Sequence, residues 1–74
     1  MSRLPRISGR QAVRALRRLG YEIDRQRGSH MILRQAPSPH RRLVVPDHKE
    51  LPKGTLRAII RQAGLTVDEF SALL

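Results

Sequence analysis

A chain of 74 residues with 39% apolar and 28% charged side chains can bury one modest core, so two cores or an inserted lid are excluded and a globular fold is expected. Fifteen Lys and Arg stand against six Asp and Glu, a formal charge of +9, and thirteen of those cations are Arg, whose planar fork suits phosphate contact; nucleic acid is the expected partner. The lack of Cys removes disulfides and thiolate metal sites and fits a reducing cytoplasm, while no apolar run approaches the roughly 20 residues that cross a bilayer, so no membrane is expected.

Ser8 with Gln11 three residues on forms a capping-box pattern, and Ala12, Val13, Leu16 and Leu19 recur at helical spacing, which predicts a helix over 9–19 ending at Gly20. Its other face carries Arg10, Arg14, Arg17 and Arg18, a cationic stripe of the kind an amphipathic helix offers a polyanion. From Tyr21 the period falls to two, with Tyr21 and Ile23 alternating with Glu22 and Asp24, which predicts a half-buried strand and then a turn at Arg27 and Gly28. A second strand runs from Ser29 to Gln35 and breaks at Ala36-Pro37-Ser38-Pro39, where two prolines exclude ladder hydrogen bonds. A third, Arg41 to Val45, closes at Pro46.

Asp47 to Gly54 is polar apart from Leu51 and predicts a loop, after which Thr55 is the expected cap of a second helix carrying Leu56, Ile59, Ile60 and Ala63 and stopping at Gly64. Thr66 and Glu69 make a second capping box, opening a short tail helix with Val67, Phe70, Leu73 and Leu74 that either closes the core or meets a partner. The expected class is therefore α+β: a three-stranded antiparallel sheet covered on one face by two helices, in the order α-β-β-β-α with a short C-terminal helix. One domain over 1–74 is expected, with residues 1–6 frayed and 65–74 as the tail.

Gly28-Ser29-His30 opening a strand, Val45-Pro46 with His48 nearby, and Gly54-Thr55-Leu56-Arg57 starting a helix that ends Gln62-Ala63-Gly64-Leu65 stand in an order that resembles the HicA-type toxins of toxin–antitoxin systems. The resemblance covers about residues 5 to 65. It implies a fold like the double-stranded-RNA-binding domain, ribosome-independent cleavage of mRNA through the His of the Gly-Ser-His segment, and inhibition by a HicB-type antitoxin. Carried over, it points to His30 as catalytic with Gly28 and Ser29 framing it. The Pro37-Ser38-Pro39-His40 insertion and the apolar tail after Leu65 depart from the pattern.

Histidine suits the chemistry. RNA is cut without metal when a base takes the 2′-hydroxyl proton, the oxygen attacks phosphorus and an acid protonates the departing 5′-oxygen; an imidazole with an unperturbed pKa near 6.5 can do either, for about a hundredfold to ten-thousandfold each. His48, after the third strand, is the better second proton-transfer group than His40 in the proline loop. Arg25, Arg27 and Arg34 flank the turn, and Arg27, nearest in sequence, is expected to steady the phosphorane charge and position substrate; Arg25 and Arg34 join the helix arginines as RNA contacts. The carboxylates are scattered, so neither a metal nor another cofactor is expected. A noncatalytic double-stranded-RNA-binding module would fit the same charge without depending on His30.

Overall fold

The computed structural model describes residues 3–35 and 41–74, so the proline loop with His40 lies outside the described residues. Helix α1 (Gly9–Arg17) leads into β1 (Tyr21–Arg27), β2 (His30–Gln35) and β3 (Arg42–Pro46), followed by α2 (Lys53–Gln62) and α3 (Val67–Ser71). The strands form one antiparallel sheet in the order β1-β2-β3, the α+β arrangement expected.

The capping boxes set the ends of two helices. Ser8 Oγ accepts the Gln11 N–H at 3.0 Å while Gln11 Oε1 accepts the Ser8 N–H at 2.9 Å, so two otherwise orphaned donors are satisfied and α1 starts where the sequence expects. Thr66 and Glu69 repeat the device at α3, at 3.1 and 2.8 Å. Helix α1 stops at Arg17 rather than reaching Leu19, because the N–H groups of Arg18, Leu19 and Gly20 each bond the carbonyl three residues back, tightening the last turn.

Two expectations are corrected. Thr55 does not cap α2: the helix begins at Lys53 with Pro52 at the N-cap, and the Leu56 N–H already bonds the Pro52 carbonyl at 3.0 Å, which puts Thr55 inside the first turn. Ile23 does not share the burial of Tyr21. Ile23 pairs with Leu33 and keeps the face of Tyr21, but β1 is the edge strand and Ile23 is left 36% exposed among Arg10, Arg14 and Arg17 where Tyr21 is fully buried; the pairing with β2 shifts only beyond it, between Ile23 and Arg25.

The core lies between the sheet and the helices. Ala12, Val13 and Leu16 from α1 and Leu56, Ile59 and Ile60 from α2 pack with Tyr21, Met31, Leu33, Leu43 and Val45, and Phe70 of α3 is fully buried among them. The tail therefore contributes to the core through Phe70, with Val67 and Leu73 packed against it and Leu74 half-exposed. In β2 Met31 and Leu33 belong to the core cluster, so by alternation His30, Ile32 and Arg34 belong to the face turned away from the helices, where Ile32 is nonetheless buried.

Candidate active site

The β1–β2 connection is a two-residue turn, Gly28-Ser29, between the paired residues Arg27 and His30. Gly28 has φ +55° while no residue other than glycine has positive φ among the described residues, the asymmetry of a type II′ hairpin with glycine at its first central position. A Cβ on Gly28 would meet nothing within 4 Å, so the turn presents bare backbone to solvent, and Ser29 and His30 are exposed beside it.

Register decides what accompanies His30. Directly paired residues share a face, and His30 is paired with Arg27 on β1 and with Pro46 on β3. The same face continues through Ile32, which lies opposite Arg25 and Val44, to Arg34, opposite Glu22 and Arg42. Arg27, Arg25, Arg34 and Arg42 thus stand with His30 on one side of the sheet, all exposed. Arg34 is held by Asp24 at 3.1 Å; Arg25, Arg27 and Arg42 make no ion pair among the described residues.

The α1 arginines are elsewhere. Helix α1 covers the opposite face of the sheet, and Arg10, Arg14 and Arg17 surround Ile23 and Met31 at the β1 edge, while Arg14 and Arg18 line a groove with Ile7, Gln11 and Leu73. Arg14, Arg17 and Arg18 are exposed and make no ion pair among the described residues, but they are separated from His30 by the edge of β1. Arg10 is engaged: its Nε and Nη2 donate to Asp47 Oδ1 and Oδ2 at 3.1 and 2.9 Å, a bidentate pair.

Asp47 also connects the two histidine segments. Its N–H donates to the Ser29 carbonyl, and the next residue, His48, is exposed and gives its carbonyl to the Gly9 N–H at 2.9 Å. Gly9 is required there, since a Cβ would lie 1.9 Å from the Pro46 oxygen. The hairpin turn, the 46–48 segment and the start of α1 therefore meet at one end of the molecule. His30 and His48 share that end, and His48 follows two residues after the strand partner of His30.

Sequence reasoning missed three things here. Arg42 joins the His30 face because β3 is in register with β2, which spacing alone does not reveal. Asp47 and Gln26 tie the turn down through contacts 21 and 37 residues distant in sequence. A separate cleft of about 510 Å³ between the N-terminal segment and the start of α2 is lined by Arg3, Arg6, Lys53 and Arg57 with Glu50 as its one carboxylate. Among the described residues no three His, Asp or Glu side chains converge as a metal site would need.

The model of the HicA toxin of bacterial toxin–antitoxin systems matches residues 9–65, well over half of the chain, including the Gly28-Ser29-His30 turn, the 45–48 segment and all of α2. The chain belongs to the HicA toxin family. No curated protein matches it significantly. As a HicA-family member it is a toxin-type component of a toxin–antitoxin system, and no helix among its described residues is long and apolar enough to cross a membrane.

Proposed function

We propose that this HicA-family chain is a metal-independent, ribosome-independent endoribonuclease that cleaves mRNA with His30 as its catalytic residue and is neutralised by a HicB-type antitoxin. The observation that carries the reading is the placement of His30: an exposed imidazole at the head of β2, beside an open glycine turn and in register with the unpaired Arg27. Proton transfer at a 2′-hydroxyl needs an accessible imidazole next to a phosphate, and an exposed His30 beside open glycine backbone that a phosphate could approach supports that reading.

In this reading a phosphate lies over Gly28 and Ser29, with the Arg27 guanidinium against its non-bridging oxygens. One histidine takes the 2′-hydroxyl proton as the oxygen attacks phosphorus; the bond to the 5′-oxygen breaks, and that oxygen is protonated by a second group. The products are a 2′,3′-cyclic phosphate and a 5′-hydroxyl end. His48, at the same end of the molecule, is the partner for the second transfer. Arg25, Arg34 and Arg42 extend cationic ground along the sheet, and Arg14, Arg17 and Arg18 lie round the edge of β1, so a single RNA strand touching both sets crosses that edge. An antitoxin of complementary negative charge that covers the His30 face would block cleavage.

The test is incubation of a mixed mRNA pool with purified protein in EDTA, with end-group analysis. Cleavage leaving cyclic phosphates, abolished by His30→Ala, is the expected result. Cleavage that stops on chelation would overturn the metal-free mechanism, and RNA binding without cleavage would leave the noncatalytic binding module as the function.

A further inference from the structure

We infer that Asp47, with Arg10 and Gln26, is a positioning device for the two histidines, and that Arg10 serves it rather than gripping RNA. The inference rests on the ribonuclease reading above. A two-residue hairpin tip is by itself a mobile element, since it has backbone on one side and solvent on the other. This one is tied at both of its carbonyls. The Gly28 carbonyl accepts from Gln26 Nε2 at 3.0 Å, and the Ser29 carbonyl accepts from the Asp47 N–H. The same Gln26 Nε2 reaches Asp47 Oδ2 at 3.3 Å, and Asp47 is anchored to α1 by Nε and Nη2 of Arg10. Guanidinium, carboxylate and amide therefore form one chain of bonds from the first turn of α1 to Gly28, and the Asp47 backbone N–H adds a tie to Ser29, the residue preceding His30.

The energetics favour a geometric role. The Arg10 side chain is 68% exposed, and an ion pair so open to water adds little to stability, so the arrangement does little to hold the fold together. Its effect is on direction: the Asp47 backbone grips the His30 turn, while the neighbouring His48 carbonyl grips α1 through Gly9, so the carboxylate sits at the joint that sets the separation of the two imidazoles. The edge of the Arg10 guanidinium formed by Nε and Nη2 is committed to Asp47, so the carboxylate sets where this side chain lies.

The experiment measures kcat and KM for RNA cleavage, thermal stability and amide exchange in the unaltered chain and in Asp47→Ala, Gln26→Ala, Arg10→Ala and the Arg10→Ala/Asp47→Ala pair. Misplacing a reacting group by even an ångström is costly, so kcat is expected to fall about tenfold to a hundredfold in each single variant. KM should change less than about twofold, and the double variant should be no worse than Asp47→Ala, as residues acting through one link are not additive. Exchange at the Asp47 and His30 amides should accelerate while core amides keep their protection, a readout that needs no activity. Should Asp47→Ala fail to fold, Gln26→Ala alone carries the same expectation. An Arg10→Ala variant with raised KM and unchanged kcat would return Arg10 to RNA contact and overturn the inference, as would unchanged exchange at the turn. If the unaltered chain cuts through His30 but these variants keep full kcat, the positioning role alone falls; if the unaltered chain does not cut, the ribonuclease reading falls and takes this inference with it.

Discussion

The two ends of the sheet are built on opposite principles. At the end where β1 starts, Tyr21 is fully buried, Gln35 Nε2 donates to the Leu19 carbonyl at 2.9 Å, and Arg41 reaches across to the Gln62 carbonyl at the end of α2. At the hairpin end Arg27, Gly28, Ser29 and His30 are all exposed and are held by polar ties to the 46–48 segment. Desolvation stabilises the first end, and it would be ruinous at the second, where the proposed reaction needs an imidazole open to both substrate and water. Stability and proposed chemistry are therefore separable in a chain too small to keep them far apart.

The separation predicts which substitutions move which quantity. Phe70→Ala, at a fully buried position, should cost about 3–5 kcal/mol of stability by leaving a cavity, with cleavage per folded molecule unchanged; chemical denaturation followed by activity at low temperature checks both. Gly9→Ala should blur the contrast, because the new methyl has no room against Pro46: a loss of about 1–3 kcal/mol is expected together with a fall in kcat, as the 46–48 segment is pushed away from the turn. Ser8→Ala removes a cap from α1 and should cost about 1 kcal/mol without altering kcat once the protein is folded.

Much of this was legible beforehand, for reasons the residues make plain. Capping boxes are local, so Ser8-Gln11 and Thr66-Glu69 announced their helices from three residues of spacing. The strand order followed from short connections, and the place of His30 at the opening of a strand from the turn signal at Gly28. What stayed hidden was non-local or without a signature. The register shift after Ile23 adds a residue that alternation cannot anticipate, and Pro52-Lys53-Gly54 reads as loop although proline and glycine are both tolerated at the start of a helix, where backbone donors are unpaired in any case. The Arg10–Asp47 pair joins residues 37 apart, and no pattern in the chain marks Arg10 as different from Arg14.

The smallest effect belongs to the buried end. The Tyr21 hydroxyl is enclosed without a hydrogen-bond partner, and burial raises its pKa above the ordinary 10.0; the nearby Arg41 guanidinium pulls the other way without reversing it. A raised pKa means that the fold favours the protonated phenol. Its contribution is therefore complete below pH 10.0 and lost as pH climbs through the folded value, so thermal stability should sag in the alkaline range. Tyr21→Phe removes the unsatisfied hydroxyl, and its melting temperature should be flat over that range and no lower than the parent's at neutral pH, as a thermal scan in buffers of increasing pH would show.

The most direct test of the account is cleavage of mRNA in EDTA by the unaltered chain beside a His30→Ala variant shown to have the same melting temperature. The account predicts cyclic-phosphate ends from the first and a rate lower by about a hundredfold to ten-thousandfold from the second, since an exposed imidazole at the hairpin end contributes to chemistry and not to the core. Equal cleavage by both chains, or none by either, would contradict the assignment of His30 and with it the division of the sheet into a structural end and a reactive one.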